Sequence, residues 1–146
     1  MSHYIPEALR RRVAERARFL CEYRLMHDDD LPVGCEVDHI IGLKHGGATE
    51  MDNLAFACLR CNRHKGTDLA SLNWQTRQVV RFFNPRTDRW SEHFQLHSAG
   101  VAPLTEIGEV TARIFGFNDV RRLEERAALT KVGLYPSAEA MEVMSQ

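Results

Sequence analysis

The sequence lacks an apolar run long enough to cross a membrane, and its N-terminus lacks the apolar stretch of a signal peptide. It also contains no internal repeat and no low-complexity block. With 146 residues, 44% hydrophobic and 27% charged, it is long enough for one domain with a modest core and too short for two independent ones. We therefore expect a cytoplasmic globular protein with no membrane partner.

The chain also lacks a strong net charge. The formal value of −1 argues against a nonspecific binder of polyanions, but binding depends on where the cations lie. Five arginines fall within residues 10–18, and Arg60, Arg63 and Lys65 lie close together further on. The first group fits a solvated helix face as well as a nucleic-acid contact, and the sequence leaves both interpretations open.

Cysteine is scarce, with four in the chain, and two of them form the Cys58-x-x-Cys61 pair. In a chain without an export signal, this spacing favours metal ligands or free thiols over disulfides.

Residues 36–66 contain the densest set of chemically active side chains. A carboxylate and an imidazole lie side by side at the end of an apolar run, a Gly-Gly loop follows, and the cysteine pair leads into an amide and a lysine. Packing alone does not explain this density. In chain order the elements are Asp38-His39-Ile40, Gly46-Gly47, Asn53-Leu54, Cys58-x-x-Cys61-Asn62 and Lys65.

This ordered set resembles the HNH endonuclease family, whose core is a ββα-metal finger that cuts phosphodiester bonds. The resemblance implies an α+β fold with this finger, Asp38 on the metal and His39 on the attacking water. It also implies that Asn53 holds the loop and orients His39. From the residues alone, Asn53 is equally consistent with a simple turn.

The same residue types suit phosphodiester hydrolysis on chemical grounds. An imidazole has a pKa near physiological pH, so His39 is the candidate general base. Asp38 and Asn62 offer hard oxygen ligands, which suit Mg²⁺ or Mn²⁺. Lys65 is a candidate for stabilising the transition state. The candidate nucleic-acid contacts are Arg60, Arg63 and His64, of which His64 is also an alternative metal ligand.

One position departs from the family. Many relatives carry a second Cys-x-x-Cys, which completes a four-cysteine zinc site, and Arg24 stands where the fourth cysteine would be. Three thiolates do not close a tetrahedral site, so a structural Zn²⁺ needs Cys35 or His27 as its fourth ligand. The alternative is that the cysteines are small buried apolar residues. The remaining cysteines of the set are Cys21, Cys58 and Cys61.

Local patterns predict the flanking elements. A first helix should begin at Ile5-Pro6 and end near Cys21. The finger should consist of strands at residues 36–41 and 54–58 and a helix that follows Cys58. A β-strand and two helices should form a C-terminal extension. Residues 1–68 are thus the predicted nuclease core, 69–136 the extension packed on it, and 137–146 a flexible tail.

Within the extension, residues 78–83 and 94–96 have strand patterns. Thr105 should cap a helix that runs to Phe115. Asn118 should cap the next helix and turn one apolar face inward. The residues of that face are Val120, Leu123 and Ala127.

These observations predict a metal-dependent endonuclease that acts on DNA, with RNA as an alternative substrate and the oligomeric state open. Two other classes remain. The first is a catalytically silent nucleic-acid-binding module, which would have no need of a base beside a metal ligand. The second is a zinc-knuckle interaction protein, which the arginine at position 24 weakens.

Overall fold

The computed structural model describes residues 4–146, so residues 1–3 of the predicted core lie outside the described chain. The fold is α+β, as expected, and its strands form two-stranded antiparallel sheets. No helix in the described part is long and apolar enough to cross a membrane. The helices are α1 (Glu7–Arg16), α2 (Leu59–Lys65), α3 (Trp90–His93), α4 (Glu106–Ile114), α5 (Val120–Lys131) and α6 (Ala138–Met144). The strands are β1 (Cys35–His39), β2 (Leu54–Cys58), β3 (Ala70–Leu72), β4 (Val79–Arg81), β5 (Phe94–His97) and β6 (Gly100–Pro103).

Strands β1 and β2 and helix α2 form the ββα finger. β1 pairs antiparallel with β2, with Cys35 opposite Cys58 at one end and His39 opposite Leu54 at the other. α2 begins directly after β2, so the chain turns back at Cys58 and runs towards the His39 end. The finger therefore has a cysteine end and a histidine end.

Every residue of β2 is buried because the strand lies between two apolar clusters. Leu54 and Phe56 pack with Val13 of α1, whereas Ala55 and Ala57 belong to the larger cluster formed with the extension. Alternating side chains of one strand thus reach both clusters. This burial fixes the strand that carries the rest of the finger.

Helix α1 is shorter than the sequence predicts, since it ends at Arg16 rather than near Cys21. Arg18 and Phe19 adopt left-handed backbone angles, with φ of 55° and 61°, which are incompatible with a continued helix. The turn that follows brings Cys21 beneath the finger, where it is buried.

The extension is built on aromatic side chains. Phe82, Phe94, Phe115 and Phe117 are buried in the larger cluster and contact neighbouring rings at inclined or edge-to-face angles. Trp90 donates from Nε1 to the carbonyl of Tyr23 at 2.9 Å, which ties the extension to the turn before the finger. The predicted strands at 78–83 and 94–96 correspond to β4 and β5, and the sequence analysis missed their partners β3 and β6.

The Thr105 cap is confirmed, since its Oγ1 accepts a hydrogen bond from Gly108 N at 3.0 Å. Asn118 does not cap α5. Its side chain instead accepts from Val101 N and donates to Val101 O, both at 2.8 Å, and so extends the edge of β6. Asp119 stands at the N-cap position.

The buried face of α5 is cationic rather than apolar. Val120 and Ala127, predicted to face inward, are exposed, while Arg122 and Arg126 are buried. Arg126 donates to the carbonyls of Ala99, at 2.6 Å, and Phe117. No other backbone hydrogen bond reaches these two carbonyls within residues 4–146. The buried guanidinium therefore satisfies acceptors that an apolar side chain would leave unpaired.

The C-terminal residues also differ from the prediction of a flexible tail. Ser137 caps α6 by accepting from Ala140 N at 3.1 Å, and Ala140 is fully buried. Val143 and Met144 pack against the larger cluster. The segment is therefore part of the folded core.

Replacing Arg126 with methionine should destabilise the protein by about 2–4 kcal/mol, because two buried carbonyls lose their donor. Urea unfolding would measure the change. Arg121→Met is the matched control, since Arg121 is exposed on the same helix and should change stability by less than about 0.5 kcal/mol. Equal effects of the two substitutions would contradict the role of the Arg126 contacts.

Candidate functional site

The histidine end of the finger opens into a cavity of about 370 Å³. Asp38 and His39 both line it, although neighbouring residues of a regular strand point to opposite faces. Both can do so because β1 ends at His39 and the chain bends at Ile40. The rest of the lining comes from Gly42, Leu43, Lys44, Gly66 and Thr67.

The imidazole of His39 is held by a loop residue that the sequence analysis did not select. Nε2 of His39 lies 2.9 Å from Oγ1 of Thr49. Asn53 supports the same loop from behind, since its side chain accepts from Ile41 N and donates to the carbonyls of Ile41 and Ala48, each at 2.9 Å. Asn53 thus fixes the residue next to Thr49.

Gly47 lies where the loop after β1 passes close to the backbone of Ile41, and only a residue without a side chain fits there. A Cβ atom at this position would lie 1.8 Å from the carbonyl oxygen of Ile41 and 2.7 Å from Nδ2 of Asn53. Gly46 has a different role, because its φ of 90° needs a glycine-like backbone while its Cβ position is open. The two glycines therefore serve conformation and close approach separately.

Lys65 lies beside Asp38 inside the protein. Burial lowers the pKa of Lys65, and the carboxylates of Asp38 and Asp68 oppose that shift. Burial likewise raises the pKa of Asp38, against the charge of Lys65. The two charges stabilise each other in a poorly hydrated position. Only 4% of Lys65 is exposed, and its Nζ lies 3.5 Å from the carbonyl of Gly66, which lines the cavity.

The other predicted residues lie along α2. Asn62 donates from Nδ2 to the carbonyl of Ala57 at 3.2 Å, and its Oδ1 has no hydrogen-bond partner among residues 4–146. Asn62 is not among the described residues that line the Asp38–His39 cavity. Arg60, Arg63 and His64 are exposed on the same helix.

The three remaining cysteines meet at the other end of the finger. The sulfur atoms of Cys21, Cys58 and Cys61 all lie within 4.8 Å of one another and are buried. Arg24 reaches the cluster, with Nε 3.3 Å and Nη2 3.2 Å from Sγ of Cys58. Its Nη1 donates to Oε1 of Glu125 on α5 at 3.2 Å. A buried guanidinium therefore bridges the finger and the extension.

The surroundings of the three thiols distinguish them. Hydrogen bonds from Cys21 and Cys61, together with the charge of Arg24, lower the pKa of Cys58 far below its usual range. Burial raises the pKa of Cys21 to about 12 and also raises that of Cys61. Of the three thiols, Cys58 is therefore the one whose ionised form its surroundings favour, and the Arg24 guanidinium lies against it.

These residues do not fit a closed structural zinc site. Zinc in such sites takes four donors, and Arg24 offers none. One of the three sulfurs is already paired with a cation. Neither proposed fourth ligand joins the group within residues 4–146, and Nδ1 of His27 instead accepts from Asp29 N at 3.1 Å.

Comparison with known proteins agrees with this geometry in part of the chain. The model of the HNH endonuclease family matches residues 21–68, about a third of the sequence. The match confirms the resemblance, and the matched segment contains the ββα finger. It indicates a nuclease-type function related to nucleic acids. Comparisons with curated proteins and with solved structures found no match.

Gly47→Ala should destabilise the protein by about 3 kcal/mol, because the added methyl group overlaps the Ile41 carbonyl. Gly46→Ala is the matched control, with an expected loss of about 1–2 kcal/mol from its positive φ alone. Urea unfolding of both variants would compare the two losses. A smaller loss for Gly47→Ala than for Gly46→Ala would contradict the close approach.

The cysteine cluster should be stable without metal. We expect less than stoichiometric zinc in the purified protein and the same unfolding temperature with and without EDTA. Arg24→Cys should complete the four-cysteine set, bind about one equivalent of zinc, and make the unfolding temperature sensitive to EDTA. One equivalent of zinc in the unmodified protein, lost on Cys58→Ala, would contradict this expectation.

Proposed function

We propose that this protein is a metal-dependent endonuclease that hydrolyses phosphodiester bonds in DNA. The observation that carries the proposal is that Asp38 and His39 line one open cavity at the end of an HNH finger. A purely structural finger would not need a carboxylate and an imidazole at the same opening. The assignments that follow are parts of this proposal.

His39 is the general base. Its imidazole can take a proton from the attacking water near neutral pH. The hydrogen bond to Thr49 fixes the orientation of the ring, and the Asn53 contacts fix the loop that carries Thr49. A base held in this way loses little freedom when substrate binds, which favours catalysis.

Asp38 in the cavity and Asn62 on α2, outside the cavity lining among the described residues, are the candidate ligands of one Mg²⁺ or Mn²⁺ ion. The donor chemistry fits, since a carboxylate and an amide oxygen are hard ligands and Oδ1 of Asn62 has no other partner in the described chain. When bound, the ion supplies neutralisation of the phosphate and stabilisation of the leaving oxygen. Lys65 stabilises the ionised form of Asp38 from the protein side.

The exposed cations of α2 would contact the substrate backbone. Arg60, Arg63 and His64 project from the helix of the finger and offer donors for phosphate oxygens. In this proposal residues 1–68 are the nuclease unit, and residues 69–136 support it and flank the substrate. Arg24 serves in the structural position that zinc holds in many relatives.

A plasmid-nicking assay tests the proposal. We expect cleavage with Mg²⁺ or Mn²⁺, none with EDTA, and a loss of about 10²–10⁴-fold in rate for His39→Ala. His45→Ala is the matched control, because His45 is an exposed histidine of the neighbouring loop outside the cavity lining.

Binding and cleavage must be measured together. Retained DNA binding by His39→Ala would assign the loss to chemistry. Full cleavage by His39→Ala would remove His39 as the base. Binding without cleavage by the unmodified protein under every metal condition would favour the catalytically silent module. A parallel RNA substrate of the same sequence would identify the preferred nucleic acid.

A further inference from the structure

A second cavity, of about 410 Å³, lies at the cysteine end of the finger. It is formed by α2, by α5 and by the loop that precedes β1. Its apolar lining residues include Leu31, Pro32 and Leu59. Its lining also includes four arginines and a histidine but a single carboxylate, Glu125. The arginines are Arg24, Arg60, Arg63 and Arg122.

Arg122 is the unusual member of this group. It is only 8% exposed and makes no hydrogen bond among residues 4–146. The nearest carboxylate oxygen, Oε1 of Glu125, lies 3.8 Å from its Nε. That oxygen already accepts from Arg24 at 3.2 Å. One carboxylate therefore faces two guanidinium groups.

Neighbouring cations add to the excess of positive charge around Arg122. Burial lowers the pKa of Arg122, Glu125 opposes that shift, and the charges of Arg24 and Arg60 lower the pKa further. Arg24 has a second partner in Sγ of Cys58, whereas Nε of Arg122 has no hydrogen-bond partner among residues 4–146. An anion that entered the cavity would compensate Arg122 for its lost hydration and would reduce the repulsion among the arginine side chains.

The volume and the lining residues of the cavity limit which anion would fit. Its volume lies in the range of small-molecule sites and is larger than a bare phosphate needs. One guanidinium group can donate two parallel hydrogen bonds to the oxygens of a phosphate. The apolar lining residues suit a sugar or a base. A nucleotide combines both kinds of group.

We propose that this cavity binds one nucleotide unit of the strand that the enzyme cuts, with its phosphate on Arg122 and Arg60 and its sugar and base against Leu59 and Leu31. The assignment to the cut strand rests on the proposed nuclease function. Arg122 belongs to α5, outside the matched HNH segment, so the extension contributes directly to substrate binding.

The position along the finger agrees with this role. The cavity adjoins the Cys35–Cys58 end of the hairpin, and His39 stands at the other end of the five-residue strand β1. Four steps of strand correspond to about 13 Å. The bound nucleotide would thus lie a few nucleotides from the scissile phosphate, at a rise of about 3.4 Å per nucleotide. Arg63 lies between the two ends on α2.

Equilibrium binding in EDTA tests the proposal without requiring cleavage. A fluorescent oligodeoxynucleotide should bind about tenfold more weakly to Arg122→Met, and the slope of log affinity against log salt should fall by about 1. Arg60→Ala, at an exposed position that should not disturb folding, should show the same two changes. Arg121→Met, an exposed neighbour outside the cavity, should show neither.

A second experiment distinguishes a phosphate of the nucleic-acid strand from a free nucleotide or inorganic phosphate. Thermal unfolding with dAMP or inorganic phosphate should show at most a small stabilisation of the unmodified protein, and none for Arg122→Met. Strong stabilisation by dAMP, with oligonucleotide binding unchanged in Arg122→Met, would identify a free nucleotide as ligand and overturn the assignment to the strand. Unchanged binding of all three probes in both cavity variants would overturn the site itself. Loss of oligonucleotide binding in a protein that never cleaves would uphold the site while the nuclease function failed.

Discussion

The contact of Arg24 with Cys58 and Glu125 is the interaction on which the arrangement of this molecule depends. A single buried guanidinium donates to Sγ of Cys58 in the finger on one side and to a carboxylate of α5 on the other. It thereby stabilises the turn where zinc would act in a four-cysteine site, and it joins the HNH segment to the extension. Because Arg24 occupies Oε1 of Glu125, it also leaves Arg122 short of a counter-ion. The arginine at position 24 thus explains why the three clustered cysteines have no fourth donor among residues 4–146 and why the adjoining cavity is short of negative charge.

The histidine end is organised by a backbone constraint instead. Gly47 lets the loop approach the Ile41 carbonyl. Asn53 joins the two sides of that loop through hydrogen bonds of 2.9 Å to the carbonyls of Ile41 and Ala48. Thr49 then meets the imidazole of His39. The orientation of the candidate base is therefore set by local chain geometry and does not require the extension, whereas the cysteine end depends on contacts more than a hundred residues apart in sequence, such as Arg24 with Glu125.

The sequence predicts the features that depend on local rules and misses those that depend on distant partners. Strands β1 and β2, helix α2 and the Thr105 cap follow from short patterns and are present. The inward face of α5 was wrong because apolar periodicity selects Val120 and Ala127, whereas Arg126 is drawn inward by the carbonyls of Ala99 and Phe117. Nothing adjacent to Arg126 reveals those acceptors. Thr49 was missed for a similar reason, since a threonine in a Gly-rich loop carries no signal until the loop is folded against His39.

Under the proposed function, the local arrangement of charge matters more than the net charge of −1. Screening limits exposed charges to a range of about 8–10 Å at physiological salt, so a strand responds to the nearest cations and not to the total. Here the exposed cations of α2 line the cavity of Arg122, and Gly66 and Thr67, which follow the helix, line the Asp38–His39 cavity. A strand that followed α2 would meet the basic cavity at one end and the candidate base at the other. The extension would then fix the register of the strand, and the finger would supply the chemistry.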